Sequence, residues 1–281
     1  MQKALIFICL QFIERYDRIK ELRIIMNNKI NEGIKLYENK EYEKAIDVFS
    51  QVLETVDDSA EIYNNIATCY LQLGDLEKAE KNYLKAQSLN PKLPQVYVNL
   101  ADIYYKQGDM ESGIQLMSQG VYELPEDMAL RHYLARFYME DARLDMAIDE
   151  LYKILDEQPD NYDAYYDLAR VNFELGNYDV AIENYENVLN YKNNEWIHYY
   201  LAEAYEANNE VDKAISNYLK ATAINTKFAI PYKKLGILFL AREDFEDAIE
   251  FFEDYTKLDI PEEEKENVNK LIERIKGKLA K

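Results

Sequence analysis

Residues 60–93 read AEIYNNIATCYLQLGDLEKAEKNYLKAQSLNPKL, and this stretch decides the fold. Its central turn, Gln72-Leu73-Gly74-Asp75, returns as Lys106-Gln107-Gly108-Asp109 and as Glu174-Leu175-Gly176-Asn177. Five residues after the turn glycine stands a small residue, Ala79. The same slot holds Ala45, Gly113, Ala147, Ala181, Ala214 and Ala248, spaced 34, 34, 34, 34, 33 and 34 residues apart. Proline follows twelve residues later at Pro91, Pro125 and Pro159, and one step late at Pro261. A fixed period of this length is the mark of a repeat architecture.

Seven units result: 26–59, 60–93, 94–127, 128–161, 162–194, 195–228 and 229–262. Slots 7 and 8 of a unit read large then small, as in Ile66-Ala67, Leu100-Ala101, Leu134-Ala135, Leu168-Ala169, Leu201-Ala202 and Leu235-Gly236. Slot 11 is usually aromatic, and slot 24 is bulky: Phe49, Tyr83, Met117, Leu151, Tyr185, Tyr218 and Phe252. Slots 4, 7, 8 and 11 share one face of a first helix, and slots 20, 24 and 27 share one face of a second. Small residues at slots 8 and 20 let two backbones approach closely. The turn at slots 15–16 ends one helix and caps the next, and proline at slot 32 stops the second. A lone hairpin of this kind cannot bury its faces, whereas stacked neighbours can.

The pattern resembles the tetratricopeptide repeat family over residues 26–262. The resemblance implies an all-α, right-handed α-α superhelical solenoid of seven helical hairpins with no domain boundary inside the array. Two departures stand out. In the first unit Glu32 replaces a large apolar residue and Asp57 replaces proline, as terminal repeats allow. In the third, Gly113 and Gly120 predict the softest second helix of the array, since glycine in a helix costs up to about 1 kcal/mol relative to alanine.

Residues 263–281 follow an acidic start, Glu262-Glu263-Glu264, and place Val268, Leu271, Ile272, Ile275 and Leu279 on one stripe. They are expected to form a C-terminal capping helix over the last hairpin. Residues 1–25 break the slot pattern and carry five basic against three acidic residues. They read as an extra amphipathic helix or as a mis-assigned start, with Met26 opening the first repeat. The apolar run over 4–13 is too short for a membrane span of roughly 20 residues. It also lacks a secretory cleavage site. Membrane attachment through it is the lesser reading, and a cytoplasmic protein is expected, with an exported or membrane-attached form as the alternative.

Composition excludes much else. Eight Gly and six Pro in 281 residues are too few for the turns of a β sandwich or a phosphate-cradling α/β fold. The net charge of −20 repels phosphate backbones, so nucleic acid is not an expected partner. Two cysteines, Cys9 and Cys69, cannot form a disulfide framework. Two histidines, His132 and His198, have no ligand at metal-binding spacing. No catalytic residue, cofactor, metal or small-molecule substrate is expected.

The resemblance implies that slots 2, 5, 6, 9, 12 and 13 face a concave groove. Slot 6 holds Asn31 at the edge of the array, then Asn65 and Asn99, whose amides offer donor and acceptor to an extended peptide backbone. Slot 9 holds Arg136 and Arg170, two of only four arginines between residues 24 and 241. Beside them stand His132, Tyr133, Tyr166, Tyr199 and Tyr200, and arginine flanked by tyrosine is the composition of an interaction hot spot. The competing reading pairs the arginines internally with Asp102, Asp167 or Glu203. Recognition of chaperone tails is disfavoured, because slots 5 and 9 of the first unit are Ile30 and Ile34 where that variant needs Lys and Asn.

The expected function is a protein–protein interaction scaffold holding an extended peptide or partner protein in the groove, through an acidic side chain or a C-terminal carboxylate. The alternative is a regulatory or targeting subunit of a larger assembly, of secretion or cell-envelope type, docking through its ends or convex face.

Overall fold

The computed structural model describes residues 20, 24–55 and 59–279, and among these every regular element is helical. The first unit contributes α1 (residues 24–38) and α2 (Tyr42–Leu53). Then follow α3 (Ala60–Gln72) with α4 (Leu76–Leu89), α5 (Pro94–Gln107) with α6 (Met110–Glu123), and α7 (Met128–Glu140) with α8 (Leu144–Glu157). The last three pairs are α9 (Tyr162–Glu174) with α10 (Tyr178–Leu189), α11 (Glu195–Ala207) with α12 (Val211–Ile224), and α13 (Ala229–Ala241) with α14 (Phe245–Thr256). A final helix, α15 (Glu262–Leu279), packs on α14. No helix of the described residues is long and apolar enough to cross a membrane. The readings of residues 1–19, Cys9 and Asp57 lie outside the described residues.

The turn between paired helices is built the same way seven times. Every slot-15 residue is left-handed: Lys40, Gly74, Gly108, Ala142, Gly176, Asn209 and Glu243 have φ between 56° and 81°. Every slot-16 amide donates back to the slot-11 carbonyl, from Glu41 to Leu36 through Asp244 to Phe239. This closes the exposed end of each first helix in a Schellman-type motif. Asp75 and Asp109 then cap α4 and α6 by accepting from the Lys78 and Ser112 amides. A left-handed backbone costs a Cβ-bearing residue about 1–2 kcal/mol. Glu243→Gly is therefore expected to stabilise the protein by about 0.5–1 kcal/mol after glycine's own entropic cost, read as a higher urea midpoint at unchanged slope.

The slot pattern predicts the core. Slots 8, 20, 24 and 27 are buried in all seven units. Where slot 24 is phenylalanine, slot 8 is glycine, and the ring fills the space of the missing Cβ. A Cβ on Gly33 would stand 2.5 Å from Phe49, and one on Gly236 would stand 2.7 Å from Phe252. Where slot 24 is tyrosine, slot 8 is alanine (Ala67/Tyr83, Ala169/Tyr185, Ala202/Tyr218). Two of these hydroxyls are held by polar partners: Tyr83 by Thr68 and Asn99, and Tyr218 by Glu206.

The glycines of α6 have packing reasons too. A Cβ on Gly120 would fall 2.8 Å from Tyr97 and 2.9 Å from Leu130. The helix runs unbroken through both glycines.

The contacts divide into two compact units, residues 1–137 and 138–281, although the repeat period continues through the division. Each hairpin of a repeat array touches only its sequence neighbours, so contacts group locally even where the period is uniform. In the first unit α3 packs on α4 and α2, and α5 on α4 and α6. In the second, α9 packs on α8 and α10, α11 on α10 and α12, and α13 on α12 and α14. The capping stripe is Val268, Ile272 and Ile275, buried with Phe252 and Tyr255.

Candidate functional site: the first-helix faces

In the first unit, Ile34 and Tyr37 of α1, Phe49 of α2, and Asn65 and Thr68 of α3 surround a cavity of about 160 Å³. Asn65 is half-buried at its edge, and among the described residues its amide has no hydrogen-bond partner. Asn99 differs. Its Nδ2 donates to the Tyr83 hydroxyl at 2.9 Å, and its Oδ1 accepts from Gln95 at 3.0 Å. The chain of bonds continues from Tyr83 through the Thr68 hydroxyl to the Asn64 carbonyl. Burial pushes the Tyr83 phenol up to about 12, so it stays a neutral link. Asn99 is thus committed inside the fold, whereas the Asn65 amide has no hydrogen-bond partner among the described residues.

Arg136 and Tyr133 are exposed on α7, and His132 is half-buried there. Burial raises the Asp102 carboxyl above the ordinary carboxylate range, and the charges of Lys106 and Arg136 oppose that rise. Arg136 thus feels Asp102, as the internal-pairing reading expects, while keeping its guanidinium at the surface.

The second unit gathers the aromatic residues. Arg170 lies 3.4 Å from Asp167, one turn back on α9, and 5.9 Å over the Tyr166 ring. This single long ion pair leaves most of the guanidinium donors unspent. Tyr166 meets Tyr200 edge-on at 6.0 Å, and Tyr200 meets Trp196 at 6.0 Å. Beneath them Tyr185 stacks on Tyr200, 13° from parallel. Burial, with Tyr200 adding to it, pushes the Tyr166 phenol up to about 12. A continuous strip therefore runs from Arg170 through Tyr166 and Tyr200 to Trp196.

Tyr199 is not part of that strip. It is 9% exposed and packs against Tyr218 and Phe228 in the core. Adjacent residues of a helix point about 100° apart, so Tyr199 and Tyr200 cannot both face the same side. Trp196 is the residue that sequence reasoning missed. It is 44% exposed and lies 4.4 Å from Phe228. As the one tryptophan of the chain, at slot 2 of its unit, it carried a usable signal. Glu203 and Glu206 do not pair with Arg170; they hold Lys234 at 3.2 and 3.3 Å.

His198 and Cys69 are structural. His198 is buried, with Nδ1 donating to Asn217 Oδ1 at 2.9 Å and Nε2 3.0 Å from the Asn193 side chain. Asn217 is oriented by its own bond to the Lys213 carbonyl. Burial first, and the Lys220 charge after it, lower the folded His198 pKa below 6.5, with the Asn217 bond opposing. Above 6.5 the imidazole is neutral in both states and its native contacts contribute fully. As pH falls below 6.5 the unfolded chain takes the proton first, and stability is lost down to the folded pKa. His198→Gln is expected to flatten this part of the stability profile, measured by urea unfolding between pH 7.5 and 5. Burial raises the Cys69 thiol to about 11, which keeps it protonated and inert. Among the described residues no group of three His, Cys, Asp or Glu is placed to hold a metal ion.

Family models described as tetratricopeptide repeat match residues 60–93, 94–123, 138–183 and 166–229. No curated protein matches the sequence. Among solved structures, the C-terminal part of a TPR repeat-containing protein from Cytophaga hutchinsonii is 18% identical with a TM-score of 0.73, covering 85% of this chain and 98% of its own. A tetratricopeptide repeat protein from Parabacteroides merdae is 18% identical with a TM-score of 0.59, covering 88% and 98%. PilW, a widely conserved type IV pilus biogenesis factor, is 14% identical with a TM-score of 0.59, covering 74% and 96%. With the recurring slot pattern, the shared turn and the buried small residues, these matches establish that the chain belongs to the tetratricopeptide repeat family.

Proposed function

We propose that this protein is an interaction scaffold that holds an extended segment of a partner protein against its first helices. The strip Arg170–Tyr166–Tyr200–Trp196 carries the reading. It joins a half-exposed arginine with unspent donors to rigid aromatic rings that lose little entropy on binding. The guanidinium fork suits a carboxylate, so the segment brings an acidic side chain or its own C-terminus to Arg170. The cleft at Asn65 supports the same function in the first unit. There the free amide pairs with peptide backbone while the cavity takes one apolar side chain.

The test is affinity capture from the source organism with the intact chain as bait. The partner retained by the wild type is expected to drop about tenfold or more with Trp196→Ala and with Arg136→Glu/Arg170→Glu, as hot-spot truncations do. Lys153→Glu on α8 should retain it. Full retention by both groove variants would refute the reading.

A further inference from the structure

The cleft of the first unit has walls that are mostly apolar: Ile34 and Tyr37 of α1, and the ring of Phe49, which is 1% exposed. Thr68 and Asn65 form its polar edge. The Thr68 hydroxyl is spent on the Asn64 carbonyl and on Tyr83. The Asn65 amide has no hydrogen-bond partner among the described residues. A volume of about 160 Å³ suits one phenyl ring, since an apolar cavity of about 150 Å³ binds benzene.

The same end of the array presents apolar surface. A terminal hairpin of a repeat array needs a polar or covered outer face. At the C-terminal end α15 supplies the cover, burying Val268, Ile272 and Ile275 with Phe252 and Tyr255. In α1, by contrast, Ile24, Ile25 and Ile34 are 52%, 55% and 40% exposed.

The chain carries a segment of matching chemistry just before α1. Residues 4–13 read ALIFICLQFI, nine apolar residues of ten, with Phe7 and Phe12 among them. Leaving such a run in water is unfavourable, so it needs an apolar surface to cover. Charge favours this one. Residues 1–25 hold five basic and three acidic side chains, net +2, whereas residues 26–59 hold four basic and eight acidic, net −4. The reach is sufficient. From Ile24 to Ile34 α1 rises about 15 Å, while residues 13–23 span up to about 36 Å. Phe12 therefore reaches the cavity, and Phe7 has more chain with which to do so. A tether of this length holds the rings near the cleft at an effective concentration on the order of millimolar, an advantage that no free segment has.

We infer that the first-unit cleft is the docking surface for residues 4–13 of this same chain. One phenyl ring, Phe7 or Phe12, enters the cavity among Ile34, Tyr37 and Phe49, and the Asn65 amide donates to a backbone carbonyl of the segment. A partner that uses this cleft must displace the segment. That competition rests on the partner reading above, whereas the docking itself does not.

The test uses a native thiol. Cys9 stands between the two phenylalanines, and Cys69 is buried with its thiol held protonated. Asn65→Cys in the intact chain therefore gives Cys9 one accessible thiol at the cleft edge. Under diamide a disulfide from Cys9 to position 65 is expected within one chain, at a rate independent of protein concentration. It should form about tenfold or more faster than the disulfide from Cys9 in the comparison variant Asp247→Cys on α14, because only the docked segment raises the local concentration. Adding Phe7→Ser/Phe12→Ser should slow it about tenfold, as loss of an apolar anchor predicts. Both changes lie outside α1–α15, and an unchanged circular dichroism melt would verify that the fold is kept. Equal rates at positions 65 and 247, or an undiminished rate in the serine variant, would overturn the docking. Disulfides formed only between chains would overturn it as well, with a second copy as the occupant. In affinity capture the serine variant, with Asn65 intact, should retain about fivefold more partner, since the cleft is then open in a larger fraction of molecules. Unchanged retention beside a confirmed intramolecular disulfide would refute the competition and leave the docking in place.

Discussion

Tyr218→Ala is expected to lower the free energy of unfolding by about 3–5 kcal/mol, the range for removing a fully buried aromatic side chain. Tyr218 is 0% exposed at slot 24 of its repeat and sits in the core built from α9 to α13. Its ring lies 5.9 Å from Tyr199, and its hydroxyl donates to Glu206 at 2.8 Å. Burial, with the Glu206 carboxylate adding to it, raises the phenol far above its ordinary pKa, so the hydroxyl remains a donor at any working pH. Tyr218→Phe separates the two contributions. It keeps the ring and removes one bond to a charged acceptor, so it should cost about 1.5–3 kcal/mol. Lys234 still compensates Glu206 from the other side. Urea unfolding of both variants measures the difference. Equal losses for Phe and Ala would mean that the hydroxyl, and not the packing, dominates this slot.

Gly236→Ala should destabilise the protein by up to about 2 kcal/mol, against the direction that helix propensity gives. Propensity alone favours alanine inside a helix by about 1 kcal/mol. The new methyl, however, meets three atoms of the Phe252 ring at 2.7, 2.7 and 2.9 Å. That ring is 1% exposed, among Ala248, Tyr255, Val268, Ile272 and Ile275, and has no open side to move into. Overpacking of this kind costs about 1–3 kcal/mol, so the clash wins. Phe252→Leu in the same chain shortens the offending group. The double variant is therefore expected to be more stable than the sum of the single losses by about 0.5 kcal/mol or more. Strict additivity would show that glycine at slot 8 has another cause.

The family architecture was legible because a repeat prints its constraints many times. The 34-residue spacing locates all seven helix pairs, and the slot-15 turn falls where the sequence puts it even when the residue is Lys40, Ala142 or Glu243. The burial of slots 8, 20, 24 and 27 follows from the same pattern, since helical period alone determines which residues share a face. The pairing of glycine with phenylalanine, and of alanine with tyrosine, was visible in the string but had no meaning without the ring positions.

The site was legible only as a set of slots. Sequence alone determined that slots 6 and 9 present Asn65, Asn99, Arg136 and Arg170, because position on a helix is a local property. It could not determine which of these side chains is free, because that depends on partners brought in from other helices. Tyr83, one helix earlier, consumes the Asn99 amide, while Asn65 is left beside a cavity. Lys234, two helices later, takes Glu203, and the ion pair left to Arg170 is the long one to Asp167. Tyr199 and Tyr200 are neighbours in the string, yet packing against Tyr218 and Phe228 buries the first and leaves the second to meet Trp196. Periodicity sets where each side chain points, whereas its availability for binding is set by contacts across tens of residues, which only the tertiary structure decides.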